Sequence, residues 1–168
     1  MRRHQVPIGW SKRDPRRYRF ALPNAVWEYK LKPIAFVIYS WLCYRSSNGQ
    51  GSALTSKVVA EHVHLSENTA KKYLGSLVDR GILTAEWFLN PSNQHINSQK
   101  FFTLPNELFL LNLPPSAFMV YAYLLLIEDR RAHTCHPSYN TIAATTGMAK
   151  NTVMKSINVL QEMCLIAM

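Results

Sequence analysis

Acidic side chains are scarce in this 168-residue chain: Asp and Glu total 10 against 19 Lys and Arg, a formal net charge of +9. That shortage points to a polyanionic partner, nucleic acid first and an anionic membrane surface second. Paired cysteines are lacking too. Cys43, Cys135 and Cys164 are odd in number and share no motif spacing, so reduced thiols in a cytoplasmic protein are expected rather than a disulfide framework. Long apolar runs are missing: the longest, Ala117 to Ile127, falls far short of the roughly 20 residues a membrane span needs. The polar N-terminal stretch has no apolar segment of the secretory kind, and a soluble protein without membrane partners is expected.

The chemistry of catalysis is equally thin. Glu61 with Glu67, or Glu128 with Asp129, would offer paired carboxylates, but no nucleophile or phosphate loop accompanies them. His133, Cys135 and His136 cluster, as do His62 and His64, yet zinc needs ligands converging from well-separated pairs, and no second pair has the spacing. Loop and helix-end roles are expected for these residues. The sequence therefore predicts no enzyme, no metal and no cofactor.

What is present is a hydrophobic fraction of 48% with 17% charged residues, enough to bury a core. The charge is unevenly placed. Residues 1–19 carry Arg2, Arg3, Lys12, Arg13, Arg16, Arg17 and Arg19 against Asp14 alone, whereas residues 101–168 are balanced. A basic arm over residues 1–17 is predicted, with Arg13, Arg16, Arg17 and the adjoining Arg19 suited to phosphates or a minor groove of strongly negative potential. The plainer reading is a solubilising terminus. Against it, Pro7, Gly9, Trp10 and Pro15 interrupt the run, and Trp10 and Tyr18 offer stacking faces.

An internal repeat organises the rest. Leu22-Pro23-Asn24 returns 82 positions later as Leu104-Pro105-Asn106. The same offset aligns Phe20 with Phe102, Pro33 with Pro115, Ala35-Phe36 with Ala117-Phe118, Tyr39 with Tyr121, and Leu42 with Leu124. After a loop the offset becomes 83 and aligns Val59-Ala60 with Ile142-Ala143, Asn68-Thr69 with Asn151-Thr152, Leu74 with Ile157, and Leu77 with Leu160. Matching apolar positions across three consecutive helical segments point to duplication.

Each copy reads alike. Short extended segments (18–22 and 100–104) lead into Pro-Asn and one helical turn. A first helix opens at Pro33 or Pro115, where proline's missing donor costs nothing. Residues 34–44 and 116–127 are apolar on nearly every face, so each helix is expected between its own unit and either the other copy or a second chain. A short second helix follows, about 56–63 and 139–146, the latter started by Pro137-Ser138. The third spans about 67–80 and 150–163, with Ser66 as N-cap, Gly81 as left-handed stop and Ala70, Leu74, Leu77 and Val78 inward. Gly147 and His64 occupy the same turn position, where a positive φ is expected. Cys164 stands opposite Gly81 and is a poor left-handed cap, so that helix is expected to end differently.

After Gly81, residues 82–89 and 96–103 flank the turn cluster Asn90-Pro91-Ser92-Asn93 and read as a wing hairpin. Asn90, Ser92, Asn93, Gln94, His95 and Lys100 would bring its contacts to phosphate, unless it is a plain connection. The second copy has no such hairpin. Leu165-Ile166-Ala167 reads as an unfinished strand, the mark of a truncated wing. The predicted fold is thus mainly α with small β wings, in two tandem winged helix-turn-helix units at 18–99 and 100–168.

In this arrangement the third helix presents its N-terminal residues to base edges in the major groove. The outward residues expected there are Ser66, Glu67, Asn68, Thr69, Lys71, Lys72 and Ser76 in the first copy. In the second they are Ala149, Lys150, Asn151, Thr152, Lys155 and Asn158. Asn68 suits adenine, while Lys71 and Lys72 suit guanine or phosphate. The plainer alternative is a solvated polar face.

The stretch Pro137-Ser138-Tyr139, Ile142-Ala143, Gly147, Lys150-Asn151-Thr152-Val153 and Leu160 resembles helix-turn-helix domains of bacterial mobile elements. So does Leu65-Ser66-Glu67-Asn68-Thr69 through Leu77 and Gly81-Ile82-Leu83. Such domains occur in plasmid replication initiators, primosome-type loading proteins and small transcription regulators. The resemblance implies sequence-specific binding of double-stranded DNA, in transcription regulation or DNA replication initiation. The alternative is a protein docking or oligomerisation module, with a homodimer or partner protein held through the apolar first helices. RNA is the weaker option, because neither copy shows an aromatic sheet surface for single strands.

Overall fold

A computed structural model describes residues 18–47, 54–84 and 100–167. The predicted arm at 1–17, with Arg13, Arg16 and Arg17, lies outside the described residues, as does the predicted wing tip. Two short strands, β1 (Arg19–Pro23) and β2 (Phe101–Pro105), pair antiparallel, Phe20 against Leu104 and Leu22 against Phe102. Each strand alternates, so Phe20 and Leu22 on one and Phe102 and Leu104 on the other are buried. Residues 101–103, the end of the predicted wing strand 96–103, pair with β1; residues 82–84 are not in a strand, and residues 85–99 of that hairpin lie outside the described residues. The pleat fixes which face is buried and leaves the partner strand open, and β1 is the strand that shares the buried face.

Short 3-10 helices, Asn24–Trp27 and Asn106–Leu111, follow the strands. Their first amides cross between the two halves: Asn24 donates to the Lys100 carbonyl at 3.1 Å, and Asn106 to the Tyr18 carbonyl at 2.8 Å. The helices α1 (Pro33–Ser47) and α4 (Pro115–Ile127) open at the predicted prolines. Both are buried nearly all round and pack against each other. Of the two expectations for these helices, contact with the other half of the same chain is the one realised.

Aromatic rings join the halves. Phe36 meets Phe118 edge-on at 6.3 Å between centroids. Trp27 lies 4.9 Å from Phe36 and 6.1 Å from Phe102, and Phe109 lies 5.4 Å from Phe118 and 5.5 Å from Phe20. One hydrophobic cluster runs from Phe20 to Leu160 and includes residues of each described strand and helix.

The remaining helices lie on this core. In the first half, α2 (Ser56–His62) packs on α3 (Glu67–Asp79), and α3 on α1. In the second, α5 (Tyr139–Thr146) packs on α6 (Lys150–Glu162), and α6 on α4. Caps set the starts: Thr55, Ser66 and Ser138 accept from the amides of Val58, Thr69 and Thr141. Ala70, Leu74 and Leu77 face inward as predicted, but Val78 is 37% exposed, since a position eight residues on from Ala70 falls at the rim of the stripe.

The turns between paired helices take the predicted positive φ, +54° at His64 and +69° at Gly147. Gly81 stops α3 at φ +67°. Cys164 overturns its expectation: at φ +57° it ends α6 in the same left-handed way. The reason is a shared capping pattern, in which the Leu165 amide reaches the Leu160 carbonyl just as the Ile82 amide reaches that of Leu77. Leu165 and Ile166 pack against the core and are not in a strand.

Candidate nucleic-acid interface

Helices α2 and α3, joined at His64, and α5 and α6, joined at Gly147, are two helix-turn-helix pairs. In both, the second helix buries one apolar stripe and exposes its polar side. On α3 the exposed residues include Glu67, Asn68, Lys71, Lys72 and Ser76, and on α6 Lys150, Asn151, Lys155 and Asn158, all as predicted. Thr69 and Thr152 are half-buried.

Two predicted readers of the first pair are otherwise engaged. Ser66 Oγ caps the Thr69 amide at 3.2 Å and lies 2.7 Å from Thr69 Oγ1, so these hydroxyls serve the helix start. The Lys72 ammonium sits 6.0 Å from the Tyr73 ring centroid, which leaves Lys71 as the less encumbered cation of α3.

Arg19 is corrected more firmly. Its Nε donates to Thr103 Oγ1 at 2.9 Å and its Nη2 to the Thr103 carbonyl at 2.7 Å. Burial draws its pKa below the ordinary arginine value. The side chain clamps β1 to β2 instead of extending the arm.

The two helix starts differ in a way that matters for an anion. Glu67 and Lys150 occupy equivalent first positions of α3 and α6. Glu67 Oε1 accepts from Ser56 Oγ at 3.2 Å, so a carboxylate bridges the starts of α2 and α3. In the second pair Lys150 lines a concavity of about 360 Å³ with Pro137, Ser138, Tyr139 and Asn140, at the start of α5. Ala149 also gives α6 no side-chain cap. Lys150 thus sets a basic residue beside the start of α5, where the first pair holds the Glu67 carboxylate against the start of α2.

Sequence reasoning missed three features. Lys57, on the first turn of α2, is exposed where the first helix of such a pair crosses the sugar–phosphate backbone. Met154, 40% exposed, occupies on α6 the place of Lys71 on α3; extending the 83-residue offset by two positions from Asn151-Thr152 would have exposed it. Arg130 and Arg131 are exposed in a turn that Asp129 organises, its Oδ1 accepting from the Arg131 amide at 2.8 Å.

Two of the histidines considered as ligands make local contacts. His62 Nδ1 is 2.8 Å from the Val58 carbonyl and its ring lies 5.0 Å from Trp41, while His133 Nδ1 is 3.0 Å from Glu128 Oε1. Among the described residues no His, Cys, Asp and Glu group is arranged to hold a metal ion, and no described helix is long and apolar enough to cross a membrane.

Residues 111–166 match the helix-turn-helix domain family, a stretch running from the turn before α4 to just past the end of α6. No match to the chain is found among curated proteins or solved structures. The family match supports DNA binding through the second helix-turn-helix pair.

Proposed function

We propose that the chain is a sequence-specific reader of double-stranded DNA built from two tandem helix-turn-helix units, acting in transcription control or replication initiation and not as an enzyme. The observation that carries this reading is the exposure of the polar faces of α3 and α6, each the second helix of its pair, with Asn68 and Asn151 on the first turn of each. A helix so presented fits the major groove, where asparagine reads adenine by two hydrogen bonds and lysine reads guanine. The helix-turn-helix match over residues 111–166 supports it for the second unit. The net charge of +9 supplies the sequence-independent attraction.

Docking through the apolar first helices is disfavoured, because α1 and α4 cover each other within the chain. Residues 1–17 are the proposed phosphate-tracking arm. Fluorescence anisotropy with a mixed-sequence duplex tests the proposal: affinity is expected to fall steeply between 50 and 200 mM salt. Failure to retain any duplex at 50 mM salt would refute it.

A further inference from the structure

The pairing between the halves has a particular symmetry. In the β1–β2 ladder Ala21 faces Thr103, its own equivalent 82 positions on, and the pairs on either side exchange: Phe20 faces Leu104 while Leu22 faces Phe102. The crossed amide bonds exchange likewise, Asn24 to Lys100 and Asn106 to Tyr18. Phe36 touches its own equivalent, Phe118. The contact of Trp27 with Phe36 answers that of Phe109 with Phe118, and Trp27 with Phe102 answers Phe109 with Phe20. A residue that contacts its own counterpart must lie beside a two-fold axis, because a translation along the chain never brings equivalent points together. The axis therefore passes by Ala21–Thr103 and Phe36–Phe118.

Two-fold rotation preserves height along its axis. Since α3 rests on α1 and α6 on α4, the same rotation relates the two polar helix faces, keeping their height along the axis and reversing the part of each chain direction that lies across it. Duplex DNA has matching two-fold axes perpendicular to its length, so a protein of this symmetry meets half-sites in inverted orientation. The readers are not identical. Lys71 on α3 corresponds to Met154 on α6, and Glu67 to Lys150; lysine suits guanine or phosphate, whereas an apolar side chain suits the thymine methyl.

We propose that one copy of this chain binds an inverted repeat with two unequal half-sites, α3 on one and α6 on the other. The inference rests on the DNA-binding reading and specifies its target. Groove periodicity requires half-site centres separated by whole helical turns of about 10 bp.

The test is selection by the full chain from a random duplex pool, then anisotropy on the winning site, on the same site with one half reversed, and on each half alone. Sedimentation of the complex counts the chains bound. Enrichment of two dissimilar, inverted halves by a single chain is expected. Reversing one half is expected to weaken binding at least ~10-fold, the effect of losing one or more base contacts. Asn68→Ala is expected to relax preference in one half only, and Asn151→Ala in the other only. Enrichment of a direct repeat, of a single half-site, or of an inverted site holding two chains would overturn the proposal while leaving DNA binding intact. Enrichment of nothing would overturn both.

Discussion

Exchanging Glu67 for lysine gives a perturbation in which stability and binding move in opposite directions. The Glu67 carboxylate sits in the first turn of α3, where it faces the positive end of the helix dipole and accepts from Ser56 Oγ. A negative charge there is worth about 0.3–1 kcal/mol at an exposed position. Glu67→Lys is therefore expected to destabilise the fold by about 1 kcal/mol, or about 2–4 °C in Tm for a chain of this size. Binding is expected to improve, because a charge that repels phosphate is replaced by one that attracts it, the role proposed for Lys150 in the second unit. One added phosphate contact steepens the salt slope by ~0.9, about 3.5-fold in affinity between 200 and 50 mM salt. Thermal melting and anisotropy across that salt range read the two effects separately. Lys150→Glu is expected to flatten the slope by the same amount. A Glu67→Lys variant binding no tighter at 50 mM salt would refute the placement of this helix start against the DNA backbone.

Three other outcomes are expected. Deleting residues 1–17 removes Arg2, Arg3, Lys12, Arg13, Arg16 and Arg17 and is expected to flatten the salt slope by up to about 5.4; the cut belongs before Tyr18, whose carbonyl holds the Asn106 amide. An unchanged slope would remove the arm from binding. Gly147→Ala is expected to lower Tm through a conformational cost of about 1–2 kcal/mol, since no atom beyond its chain neighbours lies within 4 Å of the added Cβ, and His64→Gly is expected to raise it; like-signed shifts would refute the shared turn geometry. Burial pushes the Cys43 thiol up to about 12 from 9.0, so the folded state keeps a proton that the unfolded state releases. Its contribution is complete below pH 9.0 and is lost towards pH 12, and Cys43→Ala is expected to reduce the fall in denaturant midpoint between pH 9 and 10.

Helix starts were legible because caps are local chemistry: Pro33, Ser66, Pro115 and Ser138 each satisfy or remove an amide that only a helix start leaves unbonded. The all-round apolar character of α1 and α4 also translated directly into burial. What failed was what depends on distant partners. Nothing within residues 18–22 reveals that Arg19 will clamp Thr103, 84 positions away, and the arginine reads locally as one more charge of the arm. The alternation in 100–104 names a buried face without naming β1 as the strand that shares it. Cys164 misled for another reason: residue preference for the left-handed region is worth about a kcal/mol, and the carbonyl-satisfying bond at the helix end outweighs it. At the site, exposure was legible except at Thr69 and Thr152, which are half-buried where outward positions were expected. The engagement of Ser66 with Thr69, and of Glu67 with Ser56, was not, because capping and base reading call for the same side chains.

If one core fixes the two readers, the precision of their spacing resides at the Phe36–Phe118 contact, far from any base. Helix α3 leans on α1, α6 leans on α4, and the two rings meet where α1 and α4 cross. Phe36→Leu keeps the site apolar but removes the ring contacts with Phe118 and Trp27, at a cost of about 1–3 kcal/mol, within what a folded domain tolerates. The polar face of α3 is untouched, so affinity for an isolated half-site is expected to stay within about 2-fold of the parent, in line with the near-additivity of distant sites. Discrimination between inverted sites that differ by one base pair in spacing is expected to shrink several-fold, because a looser core lets the helices accommodate the misfit. Anisotropy on a spacing series measures this directly. A variant that keeps the parent's spacing preference while melting at a lower temperature would show that this contact stabilises the chain without setting its reach.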